Sequence, residues 1–73
     1  MDDLKEVILT YISTMKTEQG LNTICNQLSM QCKQPYDVIR STMDFLEYDN
    51  KIVYVKVKHN NRVYLTAKRS FSS

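Results

Sequence analysis

The sequence predicts an α+β domain in which three helices precede a two-stranded β-hairpin. Two observations support this class. Apolar residues recur at helical spacing through about the first two thirds of the 73-residue chain, and the pattern changes to a period of two near residue 52. The composition, 42% hydrophobic and 25% charged, is typical of a folded globular domain rather than of a disordered segment.

The first helix is predicted over about residues 3–16. Asp3 is its candidate N-cap, and Glu6 follows three residues later as in a capping box. Gly20 is expected to let the chain turn after this helix. The apolar face of the helix consists of Leu4, Ile8, Tyr11, Ile12 and Met15. A second apolar set, Met1, Leu4, Val7 and Tyr11, leaves two alternatives open: a homodimer contact through helix 1, or simple core packing.

The second and third helices are predicted over about residues 22–32 and from Pro35 to about Tyr48. Asn22 or Thr23 is the candidate cap of the second helix, and Pro35 suits the first position of the third. Asp49-Asn50 is expected to end the third helix. The predicted buried residues are Ile24, Cys25, Leu28 and Cys32 in the second helix and Ile39, Met43 and Leu46 in the third, with Phe45 or Val38 beside them.

The hairpin is predicted from Ile52 to Thr66. Its loop length follows from the requirement that one face be apolar. A three-residue loop, His59 to Asn61, pairs Val57 with Val63 and collects the apolar residues on one face. That face would contain Val53, Val55, Val57, Val63 and Leu65, and the other would contain Tyr54, Lys56, Lys58, Arg62 and Tyr64. Residues 1–67 would then form the domain, followed by a basic, flexible tail over 68–73.

The two cysteines are predicted to be free thiols packed as small hydrophobic residues. Cys25 and Cys32 are seven residues apart in one helix, which places them about 10 Å apart and too far for a disulfide. The single histidine, His59, lies in a turn, and the chain has one glycine. We therefore expect no enzyme activity, no metal site and no cofactor.

The localisation expected from the sequence is cytoplasmic. No apolar run approaches the roughly 20 residues that a transmembrane helix needs. The acidic start, Met1-Asp2-Asp3, differs from the basic start of a signal peptide.

Charge is distributed unevenly along the chain. Residues 1–50 contain four basic and eight acidic residues, a net charge of −4, whereas residues 51–73 contain six basic and no acidic residues, a net charge of +6. An acidic body with a wholly basic end is typical of a protein with a polyanion-binding element.

The order of elements resembles that of a winged helix-turn-helix. The segments VILTYI (7–12), LNTICNQL (21–28) and VIRSTMDFLEYDNKIVY (38–54) resemble the helices and first wing strand of small bacterial and viral winged-helix regulators, such as the PapI-type fimbrial regulators. One spacing departs from that pattern: Leu28 and Ile39 are eleven residues apart, whereas Cys32 and Ile39 show the usual seven. A second helix one turn longer, with Cys32 as its last buried residue, explains the difference.

These features predict a DNA-binding transcriptional regulator that contacts duplex DNA through helix 3 and the wing. Basic side chains neutralise phosphates, and tyrosine hydroxyls can donate to them. The predicted DNA-binding residues are Tyr36, Arg40 and Ser41 in helix 3, and Tyr54, Lys56, Lys58, His59, Asn60, Asn61, Arg62, Tyr64, Lys68 and Arg69 in the wing and tail.

Less specific interpretations of the same residues remain open. The hairpin face can be a solvated edge, and Arg40 can pair with Asp37 or Asp44 rather than read a base. The alternative function is a protein–protein adaptor, which the acidic third helix would suit; binding of RNA or left-handed DNA is a weaker hypothesis. Neither a membrane nor a small-molecule substrate is expected as a partner.

Overall fold

The structure is a computed structural model that describes residues 4–70. Its elements are α1 (Leu4–Thr14), α2 (Leu21–Cys32), α3 (Tyr36–Tyr48), β1 (Ile52–His59) and β2 (Arg62–Arg69). The two strands form one antiparallel sheet. The predicted α+β class is confirmed, since three helices followed by a hairpin is an arrangement consistent with a winged-helix topology.

The start of α2 differs from the prediction because tertiary packing determines it. Gly20, rather than Asn22 or Thr23, is the N-cap of α2, and no side chain caps this helix. The helix begins one residue earlier than predicted because Leu21 is buried and packs its first turn into the core. The predicted cap Asp3 lies outside the described residues.

The connections around α3 agree with the prediction, except that Pro35 precedes the helix as its N-cap and is not its first residue. The longer α2 is confirmed, because the helix continues to Cys32 and ends at Lys33 in the left-handed conformation. Pro35 is the N-cap of α3, and its φ of −60° suits the start of a helix. The helix ends at Asp49, after which Asn50 adopts a φ of 63°, a conformation that asparagine tolerates better than most residues.

The core lies between the three helices and the base of the hairpin. The buried apolar residues are Ile8, Ile12, Leu21, Ile24, Cys25, Leu28, Ile39, Met43, Leu46, Ile52 and Ala67. Cys25 and Cys32 are free, and Cys32 is only half-buried. Leu4, Val7 and Tyr11 pack against this core, so the core-packing interpretation of helix 1 holds for them, and the homodimer contact stays a prediction. Met1 lies outside the described residues.

The hairpin register differs from the prediction. Val57 pairs with Tyr64 rather than with Val63, and His59 pairs with Arg62. The turn therefore has two residues, Asn60 and Asn61, with φ values of 53° and 65°. Two consecutive positive φ values are those of a type I′ turn, which matches the twist of the flanking strands. The predicted three-residue loop is wrong.

In this register, the two faces of the hairpin differ from the predicted ones. Residues paired across the strands share a face, and consecutive residues of one strand point to opposite faces. The α3-side face contains Ile52, Tyr54, Lys56, Lys58, Val63, Leu65, Ala67 and Arg69. The loop-side face contains Val53, Val55, Val57, His59, Arg62, Tyr64, Thr66 and Lys68.

Neither face of the described hairpin is wholly apolar, and its buried residues lie on both faces near its base. Ile52 and Ala67 are buried on the α3-side face, whereas Thr66 is buried on the loop-side face. The Thr66 hydroxyl donates to the carbonyl oxygen of Gln19, in the α1–α2 loop, at 2.6 Å. Toward the turn, Val63 is 63% exposed. The assumption that one whole face is buried therefore does not hold here.

The second strand is longer than predicted and includes Lys68 and Arg69, which were expected in a flexible tail. Lys68 Nζ lies 2.8 Å from Glu18 Oε2, and Arg69 Nη1 donates to Ser13 Oγ at 2.7 Å. These contacts join the end of β2 to α1 and to the α1–α2 loop. The rest of the predicted tail, residues 71–73, lies outside the described residues.

Candidate nucleic-acid interface

The outer half of the α3-side face combines two cations with two aliphatic residues. Lys56 and Lys58 are exposed and pair across the strands with Leu65 and Val63. Leu65 and Val63 are 37% and 63% exposed, so the long lysine stems lie beside accessible apolar side chains. This outer face can contact a polyanion through its ammonium groups and the sugar or base edges of a nucleic acid through its aliphatic groups.

Three other predicted wing residues, His59, Arg62 and Tyr64, lie on the loop-side face. Arg62 and His59 are opposite each other on the two strands next to the turn, and both are exposed. Tyr64 is half-buried, and its ring lies close to Gly20. A Cβ atom added at Gly20 would be 3.7 Å from Tyr64 Cδ2. The prediction that Arg62 and Tyr64 share a face with Lys56 and Lys58 is therefore wrong. The structure divides these cations between both faces, with Asn60 and Asn61 exposed between them.

The cations near the turn have no carboxylate to neutralise them. Within residues 4–70, none of Lys56, Lys58 and Arg62 forms an ion pair. The sequence has no acidic residue after position 50. The end of the hairpin is therefore a local concentration of positive charge, which attracts polyanions and loses this attraction as salt screens it.

Helix α3 meets the hairpin through a network of three side chains. The Tyr54 hydroxyl donates to Asp44 Oδ1 at 2.6 Å, and Arg40 Nε donates to the same oxygen at 3.3 Å. The Arg40 guanidinium also lies 5.7 Å from the centre of the Tyr54 ring, within the range of a cation–π contact. The alternative that Arg40 pairs with Asp44 is the arrangement seen here.

The network shifts the pKa values of Arg40 and Tyr54 upward. Burial lowers the pKa of Arg40, but the hydrogen bond to Asp44 and the charge of Asp44 outweigh it, so the pKa lies above its ordinary value. Burial, followed by the hydrogen bond to Asp44 and the charge of Asp44, raises the pKa of the Tyr54 hydroxyl well above its ordinary value. Tyr54 therefore remains a hydrogen-bond donor at physiological pH.

The remaining predicted residues of α3 differ in their accessibility. Ser41 is exposed on the outer side of the helix. The Tyr36 hydroxyl donates to the side-chain oxygen of Asn22 in α2, which places it in the contact between the two helices. Asp37 and Asp44 are exposed on the same helix and repel phosphates. α3 thus offers a weaker polyanion surface than the hairpin does.

Lys68 and Arg69 are separated from the cations near the turn. They lie at the opposite end of β2, where Lys68 contacts Glu18 and Arg69 contacts Ser13. The sequence grouped them with the wing because they follow it closely along the chain. Two exposed members of the outer face, Val63 and Leu65, were missed because the sequence pattern placed them in the core. No local signal marks them, since their exposure depends on the register.

Among the described residues, no group of three or more His, Cys, Asp or Glu side chains is placed to hold a metal ion. Within the same part of the chain, no helix has the length and apolarity that a membrane span requires.

Comparison with known proteins gives no relative for this chain. No protein-family model matches it, and neither a curated protein nor a solved structure matches it.

Proposed function

We propose that this domain binds duplex DNA and that the hairpin supplies most of the affinity through phosphate contacts. The observation that carries the proposal is the set of exposed cations near the turn, Lys56, Lys58 and Arg62, none of which forms an ion pair within residues 4–70. Cations of this kind release condensed counterions from DNA when they bind phosphates, and this release dominates affinity. A small transcriptional regulator is the role that fits such a domain.

α3 contributes to orientation more than to affinity in this proposal. Its single arginine, Arg40, is paired with Asp44 in the free protein. A base contact by Arg40 requires this pair to open, which costs little because exposed ion pairs contribute at most about 1 kcal/mol. Arg40→Ala is then expected to weaken binding to a preferred sequence more than binding to random duplex.

The test is the binding of a labelled random-sequence duplex, measured by fluorescence anisotropy over a salt series. Three phosphate contacts predict a slope of log K against log salt of about −3. The double variant Lys56→Glu with Lys58→Glu removes two of them, so we expect the magnitude of the slope to fall by about 2. Circular dichroism verifies that the variant remains folded.

The matched control carries the same change of charge outside the hairpin. Lys16→Glu with Lys33→Glu also replaces two exposed lysines, one in the α1–α2 loop and one at the end of α2. Because long-range charge effects are common to both double variants, a contact role for the hairpin predicts a larger loss for the hairpin variant. Equal affinities and slopes for the wild type and the hairpin variant would refute the proposal.

A second candidate function is that of an adaptor for a basic protein partner. The observation that favours it is the exposed acidic side of α3, with Asp37, Asp44 and Glu47. These carboxylates attract a basic partner and repel DNA. Failure to bind duplex DNA at low salt, together with retained folding, would favour this candidate.

A further inference from the structure

A groove separates α1 from the base of the hairpin, away from the cations near the turn. It has a volume of about 630 Å³, and its walls come from the end of α1, the α1–α2 loop and both strands. Its apolar floor consists of Ile12, Met15 and Val53. Val53 is 40% exposed although it lies at the base of the hairpin, where the neighbouring Ile52 is fully buried. Met15 and Val53 therefore offer accessible apolar surface, whereas Ile12 is 5% exposed and lies beneath it.

The rim of the groove is positively charged. Lys16, Lys68 and Arg69 line it, together with the carboxylate of Glu18. Glu18 pairs with Lys68 at 2.8 Å, which neutralises one cation. Arg69 contacts the uncharged Ser13 hydroxyl, and within residues 4–70 Lys16 forms no ion pair. Two positive charges consequently face the groove without compensation.

An apolar floor between uncompensated cations fits a particular kind of ligand. Apolar side chains stabilise binding by covering such a floor, and carboxylates beside them pair with the rim. A nucleic acid backbone fits less well, because it has no apolar side chain to cover the floor. The chemistry of the groove therefore matches an acidic peptide segment with apolar side chains.

We propose that this groove docks a short segment of a partner protein in which apolar residues are flanked by acidic ones. The apolar side chains cover Met15 and Val53, and the carboxylates pair with Lys16 and Arg69. Val53 lies on the loop-side face, whereas Tyr54, which meets α3, lies on the opposite face. The groove lies at the base of the hairpin, at the opposite end of the strands from Lys56 and Lys58, so the domain can bind DNA and the partner segment together. This inference does not depend on DNA binding.

The probe is a fluorescein-labelled synthetic peptide with Leu and Phe between Asp residues. Anisotropy gives its affinity, and ¹H–¹⁵N chemical shifts of the full-length protein locate the site. We expect shifts centred on Met15, Lys16 and Val53. Two control peptides separate the contributions: one has Ser in place of Leu and Phe, and the other has Lys in place of Asp. Both should bind at least severalfold more weakly.

Two variants test the residues of the groove. Lys16→Glu exchanges an attractive charge for a repulsive one and should weaken peptide binding about threefold to fivefold, within the range expected for exposed charges. Val53→Thr preserves the shape and strand preference of the side chain while making the floor polar, so the fold is retained and binding should fall about threefold. Lys58→Glu is the matched control on the other hairpin face and should leave peptide binding unchanged.

The outcomes that overturn the proposal are equally specific. Shifts centred on Lys56 and Lys58, or equal binding of the peptide that lacks Leu and Phe, would show nonspecific attraction to the basic hairpin. The absence of shifts in the groove at millimolar peptide would also reject the proposal. Lys58→Glu should weaken DNA binding and leave peptide binding unchanged. Because the two assays measure different ligands at different surfaces, failure of one proposal is distinguishable from failure of the other.

Discussion

The buried hydroxyl of Thr66 makes one of the contacts that join the hairpin to the α1–α2 loop, and its removal tests this part of the fold. Thr66 is fully buried, and its hydroxyl donates to the Gln19 carbonyl oxygen at 2.6 Å. Thr66→Val preserves the size and branching of the side chain and removes only the donor. The carbonyl oxygen of Gln19, a half-buried residue, then loses this partner.

The expected destabilisation follows from the full burial of Thr66 and the partial burial of Gln19. An ordinary hydrogen bond contributes about 1 kcal/mol, and leaving a buried partner unsatisfied costs about 1–3 kcal/mol. We expect Thr66→Val to lower the free energy of unfolding by about 2 kcal/mol. A loss of this size lowers the Tm of a domain of about 60–100 residues by roughly 8–16 °C.

Urea and thermal unfolding followed by circular dichroism provide the measurement. Thr42→Val is the matched control, because its hydroxyl donates to the Val38 carbonyl oxygen at 2.8 Å on a partly exposed helix. That carbonyl also accepts the helical hydrogen bond of residue 42, so it keeps a partner after the substitution. We expect this control to cost less than about 0.5 kcal/mol. Equal costs for the two variants would refute the structural role of the Thr66 hydroxyl.

The turn, the cysteines and α3 each give a further expectation. Asn61→Gly should preserve or raise stability, whereas Asn61→Val should lower it by about 1–2 kcal/mol because the position has a φ of 65°; denaturation curves that fail to separate the two variants would contradict the type I′ turn. Cys32 should react with a thiol reagent faster than Cys25 in the native protein, because Cys25 is buried and burial raises its pKa; equal rates would reject this burial difference. Asp44→Asn should free Arg40 for one phosphate contact and tighten duplex binding about eightfold at 0.1 M salt, and an unchanged affinity would mean that α3 does not face the duplex.

The helices and their inner faces could be predicted because their signals are local. Ile39, Met43 and Leu46 recur at the helical period and are all buried. The spacing from Cys32 to Ile39 correctly indicated a longer second helix. Pro35 and Asn50 mark the start and end of α3 through backbone preferences that do not depend on the rest of the fold.

The hairpin register could not be predicted in the same way. The argument from alternation assumed one buried face, but Thr66 is buried on one side and Ala67 on the other. The turn residues were compatible with two loop lengths, since asparagine tolerates positive φ at either position. Contacts with Gln19 and with the core accompany the register seen here, and these contacts involve residues far apart in the sequence.

For the candidate site, the sequence by itself determined the concentration of basic residues after position 50 and the absence of acids among them. Only the tertiary structure decided how those charges are grouped. Arg62 lies on the face opposite Lys56 and Lys58, and Lys68 and Arg69 join α1 and its loop at the far end of β2. Composition is a property of the chain, whereas the neighbours of a charge depend on strand register and on which elements cover each face.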